Sequence, residues 1–237
     1  MTGGLSHPRP GSGADRLVIF DCDGVLVDSE RIANPLLAEM LSEIGLPTTP
    51  EESIERYQGR SWVDTKKLIE ESLGRPLAET FPELFNQRMM EEFHSRLTPI
   101  PGIAAALDRI ESPVCVASSS GHAHIRTALE ITGLLSHFEG RCFSASEVSR
   151  GKPHPDLFLH AAERMGYGAA ASIVVEDSVS GVRGACAAGM PVLGFARDSD
   201  PGVLRDAGAR VFRDMEELPE RIREVDAPEP SGGVRLE

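Results

Sequence analysis

Short apolar runs, each ending abruptly in a polar cluster, set the pattern of this chain. Leu17-Val18-Ile19-Phe20 runs without a polar break and stops at Asp21-Cys22-Asp23-Gly24. Val114-Cys115-Val116-Ala117 stops at Ser118-Ser119-Ser120-Gly121, and Ile173-Val174-Val175 stops at Glu176-Asp177-Ser178. Pro191–Phe195 stops at Ala196-Arg197-Asp198, and a weaker run at Ala209–Phe212 predicts a fifth strand. Runs this short without alternation read as strands buried on both faces. Helical spacing fills the intervals at 102–111, 122–132, 155–166 and 179–189. Strands alternating with helices predict an α/β, Rossmann-like parallel sheet with helices on both faces. In such sheets ligands bind at the carboxyl ends of the strands, where the polar clusters fall.

The interval between the first two strands breaks this rhythm. Residues 30–96 carry only helical patterns: 31–45 closing at Gly45, 50–57, 61–73 closing at Gly74, and 80–95. An inserted α-helical cap over 30–96 accounts for this, with Pro99-Ile100-Pro101-Gly102 returning the chain. The core α/β domain then comprises 16–29 and 97–225. Residues 1–15 and 226–237, rich in Gly and Pro, read as loose tails outside it.

Composition narrows the function. Of 237 residues, 41% are hydrophobic and 26% charged, which is ordinary for a globular chain. No apolar run approaches the roughly 20 residues that span a bilayer. The net charge of −13 argues against nucleic acid or an anionic membrane as partner. It is compatible with a small phosphorylated metabolite where a cation offsets local carboxylates. Cys22, Cys115, Cys142 and Cys186 lack metal-site spacing; Cys22, Cys115 and Cys186 sit in apolar or Ala-rich segments and read as core residues. A reducing, cytoplasmic location follows as the expectation, and nothing calls for an obligate protein partner.

Four clusters carry candidate chemistry. Asp21 and Asp23, two apart at a strand end, suit a carboxylate nucleophile and a proton donor, although Asp is equally at home in a turn. A calcium loop fits poorly, because Val25 stands at its fifth position and Ile32 at its twelfth. Ser118 and Ser119 at a strand end suit a phosphate; plain helix capping by serine is the alternative. Lys152, in Gly151-Lys152-Pro153-His154-Pro155-Asp156, offers a positive charge or is merely a solvated turn residue. Glu176-Asp177 places two carboxylates together, which needs a compensating cation. Oxygen ligands of this kind suit Mg²⁺. His122 and His124, two apart at a helix start, read as surface histidines, not a metal pair.

Taken in order, Asp21-x-Asp23-Gly24, the strand ending in Ser118, Gly151-Lys152-Pro153-x-Pro155-Asp156 and Glu176-Asp177-Ser178-x-x-Gly181 resemble the haloacid dehalogenase superfamily over roughly residues 16–195. The helical insertion is similar to the cap of its phosphoglycolate phosphatase and beta-phosphoglucomutase branch. The resemblance implies a Mg²⁺-dependent phosphatase that forms an aspartyl-phosphate. Asp21 is then nucleophile and metal ligand, and Asp23 is acid/base with its backbone carbonyl on the metal. Lys152 is a catalytic cation, Ser118 and Ser119 bind the phosphoryl group, and Asp177 and Glu176 complete the metal site. Gly59-Arg60-Ser61 resembles the cap's substrate loop, which makes Arg60 the substrate-reading candidate, with Lys66 and Lys67 behind it. The phosphomutases of this branch carry a histidine twelve residues after the nucleophile, where this chain has Ala33. The dehalogenases lack the second Asp, which is present here. Bacterial sugar-phosphate phosphatases, including those acting on 6-phosphogluconate, are similar in the Ile-Phe-Asp-Cys-Asp-Gly start. A phosphomutase and a non-catalytic phospho-ligand-binding protein stand as the alternatives.

Overall fold

The computed structural model describes residues 16–58, 60 and 62–225. The predicted tails, 1–15 and 226–237, lie outside the described residues, as do Gly59 and Ser61 on either side of Arg60. Along the chain, β1 (Leu17–Phe20) is followed by α1 (Glu30–Glu43), α2 (Pro50–Tyr57), α3 (Trp62–Leu73) and α4 (Phe81–Arg96). Next come α5 (Ile103–Arg109), β2 (Val114–Ser118), α6 (His122–Ile131), α7 (Leu135–Phe138) and β3 (Cys142–Ser144). The remainder is α8 (Asp156–Arg164), β4 (Ser172–Glu176), α9 (Val179–Ala187), β5 (Val192–Phe195), α10 (Pro201–Asp206), β6 (Arg210–Phe212) and α11 (Leu218–Glu224).

All six strands are parallel, in the order β3-β2-β1-β4-β5-β6. Alternate side chains divide between two cores, as the period of a strand requires. Val18, Phe20, Val116 and Val175 pack with α5, α6, α11 and the cap helices, whereas Leu17, Ile19, Ala117 and Val174 pack with α8, α9 and α10. Both faces are therefore apolar, which is why these strands show no polar alternation. From β1 the chain builds outward through β2 and β3, then returns to β4 on the other side. The switch point lies between β1 and β4, and Asp21 and Glu176 stand at the carboxyl ends of those two strands.

The four helices α1–α4 lie between β1 and β2. Thr49 and Glu52 form a reciprocal capping box on α2. Trp62 stacks on Phe81 and Phe85, with centroids 6.3 and 6.4 Å away. The outgoing and returning segments run side by side: Val27 and Pro99 form an antiparallel bridge. The Asp28 amide donates to the Thr98 carbonyl at 2.9 Å, and the Ile100 amide to the Leu26 carbonyl at 2.9 Å. Asp28 is buried and accepts from Arg197 (2.8 Å) and Arg31 (3.1 Å), which ties the outgoing segment to the loop after β5.

One cysteine differs from expectation. Cys22 and Cys115 are buried, but Cys186 is exposed. The buried stripe of α9 runs through Gly181, Val182, Gly184 and Ala185, and position 186 falls beside it. Among the described residues no helix is long and apolar enough to cross a membrane.

Candidate active site

Asp21 follows directly on β1, and its amide extends the ladder by donating to the Val175 carbonyl at 3.0 Å. Lys152, from the loop before α8, reaches into the same space. Its Nζ lies 2.8 Å from Asp21 Oδ1 and 2.6 Å from Glu176 Oε1. The lysine side chain is only 3% exposed and also lies over the Phe158 ring. A solvated turn lysine is therefore not what the loop presents. Burial alone would strip the ammonium of its proton, but Asp21 and Glu176 hold its pKa well above the ordinary lysine value.

Glu176 is fully buried and satisfied on both oxygens. Oε1 takes Lys152, while Oε2 accepts from the amides of Asp177 and Ser178 and from Ser178 Oγ, at 2.9–3.0 Å. Ser178 also caps α9 by accepting from the Gly181 amide at 3.0 Å, so capping and site construction share one turn. Gly181 is required there, because a Cβ at that position would overlap the Glu176 carboxylate. Gly24 does the same for Asp177: its φ of +76° suits glycine, and a Cβ would overlap the Asp177 carboxylate.

Asp21, Glu176 and Asp177 each bring an oxygen within 4.8 Å of the others. Burial pushes Asp21 up to about 7, against the pull of Lys152, and Glu176 and Asp23 add to the rise. Burial, with the charges on Glu176, Asp21 and Glu30, drives Asp177 well above the usual carboxylate range. Three carboxylates face a single ammonium here. That imbalance and an oxygen-only donor set fit a hard divalent cation.

Asp23 lies to the other side of Asp21. Its Oδ2 accepts from Ser120 Oγ at 2.8 Å, and its Oδ1 accepts from His124 Nε2–H at 3.1 Å. Burial would raise the Asp23 pKa, but the charge and hydrogen bond of His124, with hydrogen bonds from Ser29 and Ser120, hold it well below the usual range. His124 is raised in turn: burial lowers it, and the Asp23 charge and hydrogen bond outweigh burial. The surface reading of His124 is thus overturned, since its side chain is only 11% exposed. Ile125, Ala128 and Leu129 form the buried stripe of α6, and His124 stands one turn before Ala128 on that stripe. That spacing was the signal in the sequence. His122 does stay at the surface, 53% exposed and paired with Glu147.

Ser118 is buried at the end of β2, and its Oγ accepts from the Ser120 amide at 3.1 Å. Ser144 Oγ, on the neighbouring strand, pins the turn by donating to the Ser120 carbonyl at 2.8 Å. None of these serines caps α6, whose N-cap is Gly121 without a side-chain bond. Ser119 is exposed on the same turn.

A cleft of about 660 Å³ opens beside Asp177, lined by Gln58 and Arg60 from the cap and by Arg183 and Ser199 from the core. Arg60 lines the cleft, and its Nε donates to the Arg56 carbonyl at 2.7 Å. Lys66 and Lys67 pair with Glu70 and Glu71 along α3 and do not line this cleft.

Carboxylates and a buried lysine thus meet at the switch point of a parallel α/β core, where such sheets bind ligands. Residues 18–195 match the haloacid dehalogenase-like hydrolase family, and the chain belongs to it. It is 32% identical over 204 residues to the 6-phosphogluconate phosphatase of Escherichia coli K12, covering 86% of this chain and 92% of that one. It is 28% identical over 214 residues to a phosphorylated carbohydrates phosphatase of Thermotoga maritima, covering 88% and 98%. A conserved haloacid dehalogenase-like protein of unknown function from Agrobacterium tumefaciens C58 superposes with a TM-score of 0.79 at 37% identity, covering 87% of this chain and 97% of that one. The protein is a phosphoric monoester hydrolase.

Proposed function

We propose that this phosphatase hydrolyses a small phosphorylated metabolite, a sugar phosphate or sugar-acid phosphate, through an aspartyl-phosphate on Asp21 with Mg²⁺ as cofactor. The observation that carries this reading is the contact of Lys152 with Asp21 beside Asp177, with Asp23 two residues on. An Asp21 oxygen attacks phosphorus, the bond to the leaving oxygen breaks, and Asp23 supplies the proton that oxygen needs. Asp23 is held ionised in the ligand-free site, and the negative charge of a bound phosphate raises its proton affinity for this step. Water then attacks the same phosphorus, Asp23 takes its proton, and the phosphorus–Asp21 bond breaks to release inorganic phosphate. Lys152 keeps Asp21 oriented and balances charge on the transferring oxygens, and Ser118 with the Ser119 amide would receive the phosphoryl group.

Asp21 and Asp177, with the Asp23 carbonyl, would hold Mg²⁺, which when bound neutralises phosphate charge. Glu176, with both oxygens engaged, acts behind them by fixing Lys152 and the Asp177 backbone. The domain limits 16–29 with 97–225 for the core and 30–96 for the cap complete the reading, with Arg60 on the cap side of the cleft. The names of the two phosphatase relatives support a carbohydrate substrate. The free cysteines agree with a cytoplasmic location.

Release of phosphate from p-nitrophenyl phosphate and a sugar-phosphate panel, with and without Mg²⁺, tests this. Metal-independent turnover, or full activity in Asp21→Asn, overturns it. The mutase alternative predicts isomerisation of a sugar 1-phosphate without phosphate release; Ala33, packed against the core, offers no proton-transfer group at the mutase position.

A further inference from the structure

We propose that His124 is a positioning residue for Asp23, holding the carboxyl in register for both proton transfers and taking its own rigidity from the cap. The inference rests on the reading of Asp23 as general acid and base. An aspartate in a loop rotates freely about its last torsion unless donors fix it. Here both Asp23 oxygens are held: Ser120 Oγ lies on Oδ2 at 2.8 Å and His124 Nε2–H on Oδ1 at 3.1 Å, and Ser29 also donates to the carboxyl. The Ser120 and His124 donors come from the turn that opens α6, which Ser144 Oγ anchors to β3.

The imidazole is itself immobilised. Its side chain is 11% exposed, and its ring meets Phe93 edge-on, with centroids 5.1 Å apart at 67°. Phe93 is fully buried and belongs to α4, the last cap helix. One side chain thus touches the proposed acid on one side and the cap on the other. A packing role alone would be met by any ring of this size. The N–H aimed at Oδ1 is what packing does not require, and an error of about 1 Å in a reacting group costs on the order of a hundredfold.

Two variants separate these roles. His124→Phe keeps a ring against Phe93 and removes the donor, whereas His124→Gln keeps an N–H donor and removes the ring. The readout is kcat/KM for phenyl phosphate against p-nitrophenyl phosphate, which differ little in shape but greatly in leaving group. Phenolate, with a conjugate acid like that of tyrosine at about 10, needs the proton from Asp23 far more than nitrophenolate does.

His124→Phe should lose about tenfold on phenyl phosphate, part of the 10²–10⁴ that a positioned acid supplies, and much less on p-nitrophenyl phosphate. His124→Gln should recover most of the difference. An equal loss on both esters, no loss, or a Gln variant no better than Phe overturns the proposal. If the Phe variant does not fold, His124→Met fills similar space without a donor and replaces it. A wild-type protein inactive on both esters would instead overturn the phosphatase mechanism on which the proposal stands.

Discussion

Gly181 and Glu176 compete for one volume: the carboxylate occupies the space where any Cβ on residue 181 would stand. The glycine lets Glu176 reach back under the start of α9, where it accepts two amides and a hydroxyl while holding Lys152. Gly181→Ala should therefore displace Lys152 and disable Asp21 without touching either. The expected cost is about 1–3 kcal/mol in urea unfolding, as for other overpacking changes. Phosphatase activity should fall by a factor far beyond the fraction unfolded, which activity per folded molecule measures directly.

Lys152→Met removes the ammonium that, among the described residues, pairs with Asp21 and Glu176. Breaking a buried pair on one side costs about 3–5 kcal/mol. The loss should show as a lowered Tm in chelator, with little residual turnover. Because the fault is uncompensated negative charge, Mg²⁺ should restore more Tm to this variant than to wild type.

The pH dependence of the metal-free protein follows from Asp21. Its carboxyl is pushed up to about 7 in the folded state, mainly by burial, against 3.8 as the unperturbed value. Between those values the native state binds more protons than the unfolded chain, so this group's contribution is full at low pH and lost as pH rises through 7. Asp177, also raised, acts in the same direction. Asp23 opposes them, since its lowered pKa contributes stability that is lost only in strong acid. In EDTA, Tm should fall from pH 5.5 to pH 8. With saturating Mg²⁺ the slope should flatten, and metal affinity should rise over the same interval. A Tm in EDTA that climbs with pH contradicts the assignment.

Arg60 lines the cleft from the cap side, and Asp177 lines it from the core. Arg60→Ala should raise KM for a sugar-acid phosphate, which carries a carboxylate besides its phosphate, by about tenfold, near 1.4 kcal/mol, with kcat little changed. p-Nitrophenyl phosphate, which lacks a second charged group, should be nearly unaffected. Steady-state kinetics on the two substrates decides it.

Much of this architecture was legible because β1, β2, β4 and β5 are buried on both faces and so print unbroken apolar runs. β3 was not, since an edge strand of three residues, Cys-Phe-Ser, carries too little pattern to separate from a loop. The clusters at Asp21, Ser118, Lys152 and Glu176-Asp177 were visible as motifs, but the environment of Lys152 was not. Its ion partners, Asp21 and Glu176, come from the ends of β1 and β4, and local spacing holds no record of them. His124 is recoverable from the α6 stripe, but two histidines two apart at a helix start face different ways and read as surface residues. Cys186 was misread the other way, through an Ala-rich helix that looks buried all round.

The pairing of Val27 with Pro99 has a consequence for how such proteins diversify. Where a chain leaves the core and re-enters it at neighbouring backbone positions, roughly 5 Å apart in an antiparallel pair, the intervening segment is a cassette. Its length and content are free to change without stretching the scaffold. Exchanging residues 30–96 for the corresponding helices of a relative should transplant substrate preference while Asp21, Lys152 and Asp177 stay where β1, the 152 loop and β4 hold them.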